Sequence, residues 1–68
     1  MKTGDLFTIN ADIYVWDCQS MAGSQAVGSF RHEDVGIAMF IKNYNSEMSR
    51  VLINGRDCAM YTTQMRML

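Results

Sequence analysis

The side chains best suited to metal binding stand in one short charged run, His32-Glu33-Asp34. Neighbouring side chains on an extended chain point in opposite directions, so only His32 and Asp34 could face one site. Two ligands are too few for a typical zinc site. The run therefore predicts a solvated loop end rather than a metal site, with His32 as a pH-responsive group if it lies at an interface.

The candidate nucleophiles are the two cysteines, Cys18 and Cys58. A reactive thiol needs a positively charged setting and a neighbouring base. Asp17 adjoins Cys18 and disfavours its thiolate, and we expect Cys58 to face the core. The sequence contains no CxxC pair and no glycine-rich phosphate loop. It thus predicts two reduced thiols, no cofactor and no enzymatic activity.

Aromatic side chains are the remaining group with a chemical use, and that use is binding. The chain holds one Trp, three Tyr and three Phe among 68 residues. Exposed in a patch, such rings act as anchors in protein interfaces, but they can equally cover the second side of a bent sheet. Both interpretations stay open. The candidate binding residues are Tyr14, Trp16, Met21, Phe30, His32 and Phe40.

The charge balance bears on nucleic-acid binding. Six Lys and Arg face seven Asp and Glu, for a net charge of −1. This balance predicts no general attraction to nucleic acid or to an anionic membrane. A local basic patch would have to use Arg31, Lys42, Arg50, Arg56 and Arg66.

Short stretches of alternating and β-branched residues predict the strands that position these side chains. Strands are predicted at 6–9, 13–16, 35–42, 48–53 and 65–68, with a long loop at 17–29 and one 3₁₀ turn at 62–64. In the central strand, Val35, Ile37, Met39 and Ile41 share one face, and Ala38 and Phe40 share the other. We expect the core faces to be built mostly of Ile, Val and Met, which places Tyr14, Trp16 and Phe40 on the opposite faces.

The clearest local signal is Asn54-Gly55, the preferred pair for a type I′ hairpin turn. It fixes a register in which Ile53 faces Arg56, Val51 faces Cys58, Arg50 faces Ala59 and Ser49 faces Met60. The predicted core face is Val51, Ile53, Cys58 and Met60. On the other face, Arg50 and Asp57 lie within reach of an ion pair.

The order of these segments resembles a known family. Gly4-Asp5-Leu6 opens the first strand, Val35-Gly36-Ile37 follows the long loop, the stretch 51–55 makes the hairpin, and Leu68 ends the last strand. In this the chain is similar to the small SH3-like barrels, related to KOW domains, that occur as short open reading frames in bacteriophages. Such barrels often carry an aromatic residue on the second hairpin strand, and here Tyr61 takes that place.

The resemblance implies an all-β fold: a small five-stranded antiparallel SH3-like barrel, one domain over residues 1–68. We expect a non-enzymatic, phage-encoded module that binds a host protein, a phage protein or a second copy of itself. A KOW-type nucleic-acid module using Arg31, Lys42, Arg50 and Arg56 is one alternative, and a minor virion component is another. The N-terminus shows neither a signal peptide nor an anchor, so we expect the host cytoplasm and no membrane partner.

Overall fold

The computed structural model describes residues 1–16 and 28–68, and within these ranges the chain is mostly β. The described strands are β1 (Leu6–Thr8), β2 (Ile13–Val15), β3 (Gly28–Phe30), β4 (Ala38–Asn43), β5 (Met48–Ile53), β6 (Arg56–Tyr61) and β7 (Arg66–Met67). Five of them form one antiparallel sheet in the order β6-β5-β4-β1-β7, while β2 and β3 pair separately. The described residues include no helix long and apolar enough to cross a membrane.

The β5–β6 hairpin confirms the predicted turn and register. Asn54 and Gly55 have φ angles of 51° and 79°, the positive values that a type I′ turn requires. Every predicted cross-strand pair is present, from Ile53 with Arg56 to Ser49 with Met60. The predicted core face is also confirmed, because Val51, Ile53, Cys58 and Met60 are all buried.

The core continues from this hairpin across the sheet to the β2–β3 pair. Phe7 of β1 is fully buried, and Ile13 and Val15 of β2 face the same cluster, as their alternation predicts. Phe30 of β3 packs against the cluster and is half-buried. Apolar residues from both sheets therefore share one core, which is what holds the short β2–β3 pair in place.

The predicted orientation of the central strand is wrong. Phe40 is only 3% exposed whereas Ile37 is 64% exposed, so the aromatic side chain faces the core and cannot belong to a binding surface. The pairing explains the error: Phe40 lies opposite Val51, and directly opposed residues share a face of the sheet. The strand begins at Ala38, so the alternation counted from Val35 included residues outside it.

Two further predictions need correction. The predicted loop ended at Ser29, but Gly28 and Ser29 belong to β3, and residues 17–27 lie outside the described part of the chain. A single 3₁₀ turn was expected, but the described residues contain two, His32–Asp34 and the predicted Thr62–Gln64. The first turn is too short and too charged for the pattern of apolar residues to mark it.

Among the described residues, one isolated β-bridge joins the small sheet to the large one. Trp16, just beyond β2, pairs with Ala59 of β6. The amide of each residue donates to the carbonyl of the other, at 2.9 Å from Trp16 and 2.8 Å from Ala59. This bridge brings the end of β2 alongside the outer strand of the five-stranded sheet.

Candidate functional site

The bridge between Trp16 and Ala59 places the chain at Trp16 beside the outer face of the β5–β6 hairpin, the face turned away from Val51, Ile53, Cys58 and Met60. The predicted register pairs Ala59 with Arg50 and so places it on the face away from the core, but Ala59 is fully buried. Its small side chain lies where the chain at Trp16 pairs with β6. Arg50 and Asp57 remain partly exposed and form the predicted ion pair, with two contacts between guanidinium and carboxylate.

Trp16 and Tyr61 meet on this outer face. Their ring centroids are 5.3 Å apart and their planes cross at 81°, an edge-to-face arrangement that aromatic pairs favour. Trp16 is half-buried, while Tyr61 is 39% exposed. Two large rings are therefore fixed against each other and still open to solvent.

Tyr14 extends this pair along β2. It stands two residues before Trp16, so the alternation of the strand places both side chains on the same face. At 68% exposure it is among the most exposed large side chains of the described residues. We call Tyr14, Trp16 and Tyr61 the aromatic row.

A groove of about 180 Å³ adjoins the Tyr14 end of the row. We call it the hairpin groove because β2 and β3 supply most of it; its lining residues are Asp12, Ile13, Tyr14, Ser29, Phe30 and Arg31. Two predicted binding residues, Tyr14 and Phe30, thus meet in one depression. A third, His32, contacts Asp12, which lines the groove.

Asp12 connects the hairpin groove to the first 3₁₀ turn. Its Oδ1 accepts the backbone N–H of His32 at 2.9 Å and lies 3.1 Å from the ring Nδ1. The backbone hydrogen bond, helped by the ring contact, lowers the pKa of Asp12, because both favour the ionised carboxylate. His32 was expected on an extended chain beside Asp34; the turn directs it to Asp12 instead.

A wider groove, of about 450 Å³, adjoins the Tyr61 end of the row. We call it the Tyr61 groove; it is lined by Ser46, Glu47, Tyr61, Thr62 and Thr63. Its two walls are the turn between β4 and β5 and the second 3₁₀ turn. The Thr62 amide donates to the Glu47 carbonyl at 2.9 Å, which joins the walls.

Side-chain hydrogen bonds hold both walls of the Tyr61 groove. Asn45 Oδ1 accepts the amides of Glu47 and Met48, each at 2.8 Å, which fixes the first turn. The hydroxyl groups of Ser49 and Thr62 lie 2.6 Å apart and fix the second. The contact between the two turns follows from the hairpin register, because the pair after Met48 and Tyr61 is Glu47 and Thr62.

No protein-family model, curated protein or solved structure matches this chain. The aromatic row and its two grooves are therefore the features on which a functional proposal can rest.

The structure brings together part of the predicted binding set. Tyr14 and Phe30 line the hairpin groove, His32 contacts the lining residue Asp12, and Trp16 lies in the row beside the groove. Phe40 is in the core, and Met21 lies outside the described residues. Tyr61 is not in the predicted binding set. The predicted register nevertheless places it opposite Met48, on the outer face of the hairpin.

Two of the four candidate nucleic-acid contacts are engaged with acidic groups. The Arg31 guanidinium pairs with Glu33, and that of Arg50 with Asp57. The Arg56 guanidinium lies beside Gly28, where a Cβ would come within 3.2 Å of it. Across residues 1–16 and 28–68, no three His, Cys, Asp or Glu side chains are grouped so that they could hold a metal ion.

Proposed function

We propose that this chain is a non-enzymatic protein-interaction module, and that an extended segment of a partner protein binds along the aromatic row. The observation that carries the proposal is the Trp16–Tyr61 pair, two packed but solvent-open rings with a groove continuing beyond Tyr61. Rings of this kind dominate the binding energy of protein interfaces because they bury much apolar area and lose little conformational freedom.

We also propose that the fold is a small SH3-like barrel of the phage-encoded kind. The strand order β6-β5-β4-β1-β7 and the 3₁₀ turn before β7 support this fold, and so does the bridge from Trp16 to β6. Such a fold suits the function, because its short strands hold the two ends of the row while the connecting turns supply the groove walls.

Selection from a displayed library of random dodecapeptides tests the function directly. The selected peptides are expected to lose binding when Trp16 or Tyr61 is replaced by alanine. Each loss should raise Kd about thirtyfold, the equivalent of roughly 2 kcal/mol for an interface anchor. Fluorescence anisotropy with labelled peptide measures Kd, and circular dichroism checks that each variant is folded.

Met67→Ala is the matched control, since Met67 is 42% exposed but lies on β7, at the opposite edge of the sheet from β6. Tyr14→Ala is the second test variant in case Trp16→Ala unfolds the protein. The proposal is contradicted if the library yields no binding peptide. It is also contradicted if the selected peptides bind the Trp16→Ala, Tyr61→Ala and Tyr14→Ala variants with the Kd of the wild type. A dimer that depends on the row, detected by sedimentation, would make a second copy the occupant instead.

The nucleic-acid alternative has weaker support, because carboxylates neutralise Arg31 and Arg50 within the described residues. It makes a separate prediction. Retardation of RNA or DNA at low salt, falling steeply as salt rises, would favour it over a peptide-binding role.

A further inference from the structure

The Tyr61 groove has a chemical character that the hairpin groove lacks. Its lining residues are the acidic Glu47, the hydroxyl-bearing Ser46, Thr62 and Thr63, and the aromatic Tyr61. The hairpin groove instead carries both an acid and a base, Asp12 and Arg31. The Tyr61 groove therefore offers hydrogen-bond acceptors and negative charge, and no Lys or Arg is among the described residues that line it.

The Glu47 carboxylate extends from a fixed section of backbone. The amide of Glu47 donates to Asn45 Oδ1 at 2.8 Å, and its carbonyl accepts the amide of Thr62 at 2.9 Å. Among the described residues, the ion pairs use Glu33, Asp12 and Asp57 but not Glu47. Its negative charge is thus held at the groove without a cationic partner from the described chain.

The ring of Tyr61 adds a second attraction for positive charge. An aromatic face is electrostatically negative and binds an ammonium or guanidinium group placed over it. The perpendicular contact with Trp16 holds the Tyr61 ring at a fixed angle, and 39% of the residue stays exposed. Glu47 and Tyr61 both line this groove, so a carboxylate and an aromatic ring belong to the same site.

From these observations we infer that the Tyr61 groove takes the side chain of a lysine or arginine in the partner segment. The inference rests on the proposed function, and it names the residue class that the groove selects. Glu47 would contribute a charge-assisted hydrogen bond, and Tyr61 a cation–π contact. A phosphate or carboxylate would instead be repelled by Glu47.

The peptides selected on the wild-type protein provide the test. They should share a basic residue at one position, and replacing it by norleucine, or by citrulline for arginine, should raise Kd about tenfold. Glu47→Gln should raise Kd by a similar factor. In the Glu47→Gln variant the peptide replacement should have little further effect, because both changes remove the same interaction.

Asp34→Asn is the control for general electrostatics, since it removes one negative charge from a residue outside the groove lining. Equal weakening by Asp34→Asn and Glu47→Gln would overturn the inference. So would selected peptides that share no basic position, or a norleucine peptide that binds unchanged. If binding still depends on Trp16 and Tyr61, any of these three results refutes only the lysine or arginine inference and not the proposed function. If binding is unchanged when Trp16 or Tyr61 is replaced, both the inference and the proposed function are refuted.

Discussion

The inner face of the β5–β6 hairpin forms part of the core, whereas its outer face carries the aromatic contact that we propose binds a partner. On the inner face, Val51, Cys58 and Met60 are buried and belong to the hydrophobic core cluster. On the outer face, Arg50 pairs with Asp57, and Tyr61 packs against Trp16 while remaining open. Because side chains alternate along each strand, the residues that stabilise the fold are interleaved with those that we propose bind a partner. Substitutions on the two faces should therefore separate stability from binding.

The largest effect on stability is expected from Met60→Ala on the inner face. Met60 is fully buried, and its truncation removes apolar contacts and leaves a cavity, at a cost of about 2 to 5 kcal/mol. A domain of this size has a total stability of about 3 to 10 kcal/mol, so much of the protein should unfold. Urea denaturation followed by circular dichroism measures the change.

Met67→Ala makes the same chemical change at a residue that is 42% exposed, and it should leave the free energy of unfolding nearly unchanged. If both methionine variants were equally stable, the inner face of the hairpin would not be the core. The distinction between the two faces would then fail.

An intermediate effect is expected at the turn that assigns each side chain to its face. Gly55 has a φ of +79°, where a side chain is strained, so Gly55→Ala should cost about 1 to 2 kcal/mol. Gly36→Ala is the matched control: Gly36 lacks the positive φ, and a Cβ there meets no atom within 4 Å. Thermal unfolding of the two variants should show a lower Tm for Gly55→Ala alone. If Gly55→Ala had the same Tm as the wild type, the register of the hairpin would depend on strand pairing and not on the turn.

The hairpin could be predicted because its information is local. Asn54-Gly55 sets the turn, and counting outward from it places every partner in the two strands. The face of Phe40 could not be read in this way, because its partner Val51 belongs to a different strand across an unpredicted register. A bulge between Phe40 and Lys42 shifts the pairing further along β4.

The candidate site was predicted only in part, for a related reason. Tyr14 and Trp16 follow from the alternation of one strand, and their exposed or half-exposed positions agree with it. Glu47 lies beside Thr62 because the hairpin register extends one pair beyond Met48 and Tyr61. Tyr61 joins the other two rings only through the bridge of Trp16 to Ala59, a contact between distant segments that leaves no periodic signal in the sequence.

The smallest effect is expected from the ion pair on the outer face. Arg50 and Asp57 keep about a third and two fifths of their side-chain surface exposed, at 31% and 41%. Solvent and salt screen such a pair, so its coupling energy should be at most about 1 kcal/mol and should shrink as salt is added. Because each residue also makes other contacts, single substitutions would overstate the pair. A double-mutant cycle with Arg50→Ala and Asp57→Ala, measured by urea unfolding, isolates it. A coupling energy of about 3 kcal/mol that does not change with salt concentration would mean that the Arg50–Asp57 pair is shielded from solvent. Only the aromatic row would then distinguish the outer face of the hairpin from the buried inner face.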